Sequence, residues 1–313
     1  MRLVFCGTPR FAVPTLEALL AAGHEIALVV AQPDRPVGRH QEIAAPPVKQ
    51  AALAAGLAVT QPEKIRNNIE FRAQLESIAP DAIVVVAYGR IIPPWMLALP
   101  RHGCINLHAS LLPRYRGAAP IQWAVAMGDA HTGNTTMLLE EGLDTGPMLL
   151  QLALPIVPEQ TAADLFEVLA KAGAPLIVET LTGLSNGTIE PQPQDDSMAT
   201  LAPLLMREDG RMDFAARTAT ELKNRWRGFQ PWPGAFTALN GKKLIVHQLD
   251  VAALPAADEA APGQIRIDSD RLLVACAQHT WLELIELQLE GKKRLTAAEF
   301  LRGTQLATGA RLG

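Results

Sequence analysis

Cysteine is scarce in this 313-residue chain, and the three present, Cys6, Cys104 and Cys276, are scattered. Neither a disulfide framework nor a CxxC metal site can be built from them. Long apolar runs are absent as well. The longest, such as AIVVVA at 82–87, are strand-length and well short of the ~20 residues a membrane helix needs. MRLVF leads straight into a Gly-Thr-Pro turn with no apolar stretch of signal-peptide length, which makes a cytoplasmic protein the expectation. Positive charge is not in excess either. The net charge is −4, unlike a protein that coats nucleic acid. It is unevenly spread: residues 1–208 carry 14 Lys/Arg against 20 Asp/Glu, and residues 209–313 carry 14 against 12. The C-terminal part is therefore the one compatible with touching a polyanion, although a mixed solvated surface accounts for so small a surplus equally well.

Three chemical motifs are also missing. The first strand runs into CGTPRFA, where Gly7 supplies a tight turn but the second and third glycines of GxGxxG are absent, so there is no pyrophosphate cradle. No GxxxxGK[ST] occurs, and no GxSxG elbow. Dinucleotide chemistry, P-loop phosphoryl transfer and a serine acyl-enzyme are thereby disfavoured.

What is present is a chain able to fold, with 49% hydrophobic and 19% charged residues and a length that suits about two domains. Its first half alternates β-rich runs at 3–6, 26–31, 82–87 and 104–107 with helix-period stretches at 13–22, 48–56 and 69–78. A further helix near 121–127, strands at 135–139 and 148–152, and a helix at 162–182 follow. This is the pattern of an α/β, Rossmann-like doubly wound parallel sheet, expected to fill residues 1–189. Residues 190–208 are proline-containing and aperiodic, and read as a linker. In 209–313, one helix at 215–228 precedes strands at 235–239, 244–249, 264–267, 272–276 and 281–288, the content of a small OB-like β-barrel.

The densest segment is GCINLHASLLPRYRGAAP at 103–120. A strand delivers Asn106 and His108 two residues apart, hence on one face. Downstream, EEGLDTGP puts Asp144 between two glycines after another strand end. Together they fit an acyl-transfer site: His108 and Asn106 as donors to a carbonyl oxygen gaining charge, with Asp144 orienting the imidazole and stabilising its charged form. Without a nucleophile motif, direct transfer between two bound substrates fits better than a covalent intermediate. The plainer alternatives are a strand-end cap for Asn106 and His108 and a turn residue for Asp144. No metal-ligand spacing accompanies His108, and no metal is expected.

NLHASLLPRYRGAAP followed by LDTGPML resembles the 10-formyltetrahydrofolate-dependent formyltransferases, which share the Asn, the His, the SLLP turn and the later Asp. CGTPRFA, QPDRPVGR at 32–39, PPVK at 46–49, VVAYGRIIP at 85–93 and FQPWPGAFT at 229–237 extend the likeness nearly end to end. Within the family they resemble the branch that acts on methionyl initiator tRNA in translation initiation. The resemblance implies Asn106, His108 and Asp144 as the catalytic triad. It implies Ser110, Leu111, Leu112 and Pro113 as the folate-contacting turn, with the pterin beside Val86, Ala87, Tyr88, Gly89, Ile91 and Ile92. It makes 10-formyltetrahydrofolate the co-substrate and the initiator tRNA the partner, while nothing in the sequence requires more than a monomer. It also turns the 33–49 excursion into a tRNA-facing loop in which Arg35, Arg39 and Lys49, with Arg207 beyond, are the basic contacts. Where the family pattern continues with two lysines, this chain has His40, Gln41 and Glu42, and Leu204 replaces another. Loop charge is thus reduced. In 223–236, the aromatics Trp226, Phe229, Trp232 and Phe236 read as packing residues among Lys223, Arg225 and Arg227.

Sugar-nucleotide amine formyltransferases share the Asn-His-SLLP-Asp pattern, but they lack or shorten the 33–49 insertion. A glycinamide ribonucleotide formyltransferase is expected to be a single domain without the C-terminal barrel. A folate- or tRNA-binding module without catalysis would not need all three of Asn106, His108 and Asp144, and no additional water-activating base favours hydrolysis of formyl-folate.

Overall fold

The structure is a computed structural model that describes residues 1–37, 42–253 and 260–313. Apolar runs become strands and the 3.6-period stretches between them become helices. In order these are β1 (Arg2–Gly7), α1 (Val13–Ala21), β2 (Glu25–Val30), β3 (Arg35–Val37), β4 (Glu42–Ala44), α2 (Pro47–Ala54), β5 (Val59–Thr60), α3 (Ile69–Ile78), β6 (Ala82–Val86), α4 (Pro94–Leu97), β7 (Cys104–His108), α5 (Pro120–Ala126), β8 (His131–Leu138), β9 (Met148–Pro155) and α6 (Ala162–Asn186). The C-terminal part adds α7 (Ala219–Gly228), β10 (Ala235–Leu239), β11 (Lys242–Ala252), β12 (Ile265–Asp268), β13 (Arg271–Ala275), β14 (Trp281–Leu289), β15 (Leu295–Thr296) and α8 (Ala297–Gly303). The chain forms two compact units: residues 1–120, 131–155 and 164–203 in one, and residues 121–130, 156–163 and 204–313 in the other.

In the first unit, seven strands run in the order β5-β2-β1-β6-β7-β8-β9. Every residue of β6 is buried, as expected of a central strand covered on both faces. Strands β5, β2, β1, β6 and β7 are parallel. The sheet is not parallel throughout, however, because β8 and β9 are antiparallel to their neighbours. Only residues 139–147 connect β8 to β9, too few for the crossover of a dozen or more residues that a parallel pair requires. Gly7 answers to space: a Cβ there would lie 2.9 Å from the Ala12 Cβ and 3.1 Å from the Val86 carbonyl. Residues 190–203, expected as a linker, are tied to this unit by bridges pairing Met148 with Gln192 and Arg116 with Leu201.

The second unit carries β10-β11-β14-β13-β12, antiparallel throughout, with β15 added on β14. This is one strand more than the sequence pattern suggests, and it is consistent with a small barrel. Leu244, Val246, Leu249, Leu272, Val274, Leu282, Leu284 and Leu287 form its core. Helix α5 belongs here. Trp123 meets the edge of Phe229 at 5.4 Å, and Gly228 allows that approach because a Cβ would come 2.6 Å from the Gln122 carbonyl. Helix α7 starts later than the periodicity predicts. Asp213 accepts from Ala215 N and Ala216 N, and the reciprocal Thr218–Glu221 box then opens the helix at Ala219. Trp226, Phe229 and Phe236 are buried or half-buried, whereas Trp232 is 55% exposed and takes no part in the core. Among the described residues, no helix is long and apolar enough to cross a membrane.

Candidate active site

The strand order reverses about β1: β2 lies on one side and β6 on the other, and ligands of open α/β sheets bind at such switch points. Gly7 and Val86 are paired at the carboxyl ends of these strands. Beyond them Thr8 Oγ1 donates to the Tyr88 carbonyl at 3.0 Å, and Gln32 Nε2 does so at 3.2 Å. Ala87 and Gly89 both have positive φ, 46° and 80°. This kinked course divides the segment expected beside a pterin. Ala87, Gly89 and Ile91 are exposed, Ile91 by 90%, while Val86, Tyr88 and Ile92 are core residues. Burial, and secondarily Cys6, push the Tyr88 phenol above its ordinary range. Burial likewise pushes the Cys104 thiol up to about 12, which leaves it inert as a nucleophile.

Strand β7 lies between β6 and β8 and ends on the buried His108, 5% exposed. His108 Nε2 is 2.9 Å from the Tyr115 carbonyl. A carbonyl only accepts, so Nε2 carries the hydrogen of that bond. Nδ1 lies 3.6 Å from Asp144 Oδ2, within an ion pair and beyond a hydrogen bond. That same Oδ2 accepts from Gly117 N at 2.8 Å. Asp144 has φ 51° and Tyr115 φ 61°, left-handed conformations that concentrate at functional sites. Asn106, on the His108 face of β7, is half-buried, and its amide makes no side-chain hydrogen bond among the described residues.

The SLLP turn is fixed by groups from distant sequence. Ser110 is fully buried and its hydroxyl donates to the Arg114 carbonyl at 2.7 Å. Thr135 Oγ1 donates to the Ser110 carbonyl at 2.7 Å and accepts from Leu112 N at 3.1 Å, while Gln151 Nε2 donates to the Leu112 carbonyl at 2.8 Å. Leu112 is buried; Leu111 and Pro113 are half-exposed and are the members of the turn with surface to offer. Thr135, Gln151, Tyr115 and Gly117 escape sequence reasoning: the first two act across 23 to 39 residues, and the last two act through backbone atoms. Among the described residues, no group of three metal-ligating side chains occurs.

The expected tRNA contacts fall in both units. Arg35 is exposed on β3, and Arg207 is exposed at the start of the 3-10 turn Arg207–Gly210 in the second unit. Lys49 Nζ is paired with Asp34 at 2.7 Å. Arg39, His40 and Gln41 lie outside the described residues. Lys223, Arg225 and Arg227 have partners inside the second unit. Lys223 meets Glu159 and Asp250 at 2.8 Å each. Arg225 sits 4.7 Å from the Phe229 ring centroid, and the buried Arg227 donates to the Gln160 carbonyl at 3.0 Å.

A buried imidazole facing a carboxylate, on a strand that also carries a half-buried amide, is a set of groups that acyl-transfer enzymes use. Comparison with known proteins agrees: the chain belongs to the formyl transferase family, whose profile matches residues 1–181, with the family's C-terminal domain matched over residues 204–305. Methionyl-tRNA formyltransferase of Acidobacterium capsulatum is 67% identical over 313 residues, spanning all of both chains. That of Koribacter versatilis is 58% identical over 313 residues, covering all of this chain and 99% of its own. Among solved structures, an N-formyltransferase from Helicobacter canadensis in complex with folinic acid and dTDP-3-aminofucose superposes with a TM-score of 0.65 at 18% identity, covering 90% of this chain and 98% of its own. At that identity the likeness concerns the fold alone.

Proposed function

We propose that this enzyme transfers a formyl group from 10-formyltetrahydrofolate to the α-amino group of methionyl initiator tRNA. The observation that carries the reading is the end-to-end similarity, at 67% and 58% identity, to two methionyl-tRNA formyltransferases. It is supported by the pairing of His108 with Asp144 beside the unpartnered Asn106 amide.

The co-substrate supplies a formyl carbon on N10. Exposed Ala87, Gly89 and Ile91 offer apolar surface for a pterin, and half-exposed Leu111 and Pro113 offer the surface of the SLLP turn to the folate. The amine of an aminoacyl ester titrates below the ~7.7–8.0 of a free α-amino group, so the site needs alignment and charge stabilisation more than a strong base. In the transfer, amine nitrogen bonds to the formyl carbon and the carbon–N10 bond breaks; one proton leaves the amine and one arrives at N10. His108 Nε2 stays on the Tyr115 carbonyl and Asp144 faces the ring at Nδ1; with both ring nitrogens carrying hydrogen, the proton released by the amine reaches N10 through solvent. Protonated Nδ1 and the Asn106 amide donate to the formyl oxygen as it gains charge. The second unit contributes tRNA affinity through a basic surface rather than through any one residue.

A formylation assay that offers Met-charged initiator tRNA, Met-charged elongator tRNA and a sugar-nucleotide amine in parallel tests the proposal. Strong preference for the initiator is expected. Transfer to the sugar amine alone would keep the chemistry and overturn the acceptor.

A further inference from the structure

The Asp144 turn has a second holder outside the segments that carry the triad. Gln194 Nε2 donates to the Asp144 carbonyl at 2.8 Å and to the Gly146 carbonyl at 2.7 Å. Both amide hydrogens are thereby used on the turn that opens at Asp144, whose φ is 51°. The Gln194 Oε1 accepts from Arg116 Nε at 3.0 Å, and Arg116 is 7% exposed. Gly117, the next residue, gives its N–H to Asp144 Oδ2 at 2.8 Å. One side chain therefore couples the backbone that carries the Asp144 carboxylate to the turn that binds that carboxylate and accepts from His108. The 190–203 segment that carries Gln194 fixes that turn again, because Tyr115 N donates to Thr200 Oγ1 at 2.9 Å and Arg116 N to the Thr200 carbonyl at 2.8 Å.

We infer that Gln194 is a positioning residue for formyl transfer: it sets the direction of the Asp144 carboxylate toward His108 Nδ1 by clamping the carbonyls on either side of Thr145. The inference rests on the triad assignment proposed above. A carboxylate released from this clamp turns toward water, and misplacement by about 1 Å costs on the order of 10²-fold in rate.

The test compares Gln194→Glu, Gln194→Ala and Asp196→Asn in the full chain, with steady-state formylation kinetics and thermal melting. Gln194→Glu keeps the size and the acceptor for Arg116 but removes both donors to the turn. Asp196→Asn weakens the other partner of Arg116, an exposed carboxylate at 2.8 Å, without touching the clamp. Both Gln194 variants should lose 10- to 100-fold in kcat with KM for either substrate within about two-fold, and Asp196→Asn should stay within two-fold of wild type. Equal losses in Asp196→Asn and Gln194→Glu, a loss confined to KM, or wild-type kcat in Gln194→Glu would overturn the inference. A wild-type chain that formylates no amine would instead overturn the functional reading, and the inference with it.

Discussion

The sheet edge that carries His108 and the segments that carry the positive charge are built on opposite terms. At the edge, polar atoms are held to one arrangement: His108 on the Tyr115 carbonyl, Asp144 on Gly117 N, and the SLLP turn on Thr135 and Gln151. In the basic segments, several charges are already met by protein. Lys49 is paired with Asp34, Lys223 with Glu159 and Asp250, and Arg225 lies over aromatic rings. Acyl transfer demands a few atoms placed to within a fraction of an ångström. Polyanion binding sums counterion release over many cations, so no single residue has to be fixed. In the proposed reading catalysis is accordingly concentrated and legible, whereas tRNA binding is diffuse.

The largest effect expected from this contrast is at His108. His108→Ala should lower kcat by at least about 10³-fold, within the range of a lost acid–base group, while leaving tRNA affinity within two-fold; single-turnover formylation and filter binding measure the two. Asn106→Ala should cost about 10²–10³-fold in kcat, as for loss of one donor to a developing oxyanion. A loss expressed only in KM would reassign it to binding.

Thr135→Val sharpens the comparison from the side of stability. It strips the Ser110 and Leu112 backbone groups of a fully buried partner, which should cost about 1–3 kcal/mol in denaturant unfolding. At the diffuse end, Lys49→Ala should change the slope of log Kd for tRNA against log salt by less than about one, because Asp34 already neutralises that charge. A full unit of change would mean that Lys49 leaves Asp34 for a phosphate. The smallest effect concerns the second unit. Hydrogen bonds from the Thr218 backbone and then its side chain hold the Glu221 carboxyl below its ordinary range. A depressed carboxylate stabilises the fold above its unfolded pKa and loses that contribution as pH falls through the folded value. The Tm difference between wild type and Glu221→Gln should therefore be present at pH 7 and vanish as pH falls through the depressed folded value.

How much of this was readable beforehand follows the same division. Asn106 and His108 lie in one strand, so a period of two placed them on one face from sequence alone. The supports of His108 and Asp144 were hidden because they come from the Tyr115 carbonyl and the Gly117 N–H, backbone groups that carry no residue-type signal, or from side chains many positions away. The antiparallel β8–β9 pair was in principle legible from the short 139–147 connection, yet the α/β alternation before it suggested a parallel sheet throughout. Helix α8 had its signal in plain view, since Thr296 and Glu299 form a capping box, but seven residues carry too little periodicity to be noticed. The β3–β4 ribbon was masked by prolines, which fit its edge-strand geometry as well as a loop. Nothing in residue type distinguishes Lys49, paired with Asp34, from a lysine left for phosphate.

The central claim is that the charge of Asp144, held toward His108, drives the transfer. Asp144→Asn tests it most directly, because an amide of the same size can still accept from Gly117 N while the negative charge is gone. Single-turnover formylation of saturating methionyl initiator tRNA should slow by at least about 10²-fold at unchanged tRNA affinity. A rate within three-fold of wild type would contradict the account.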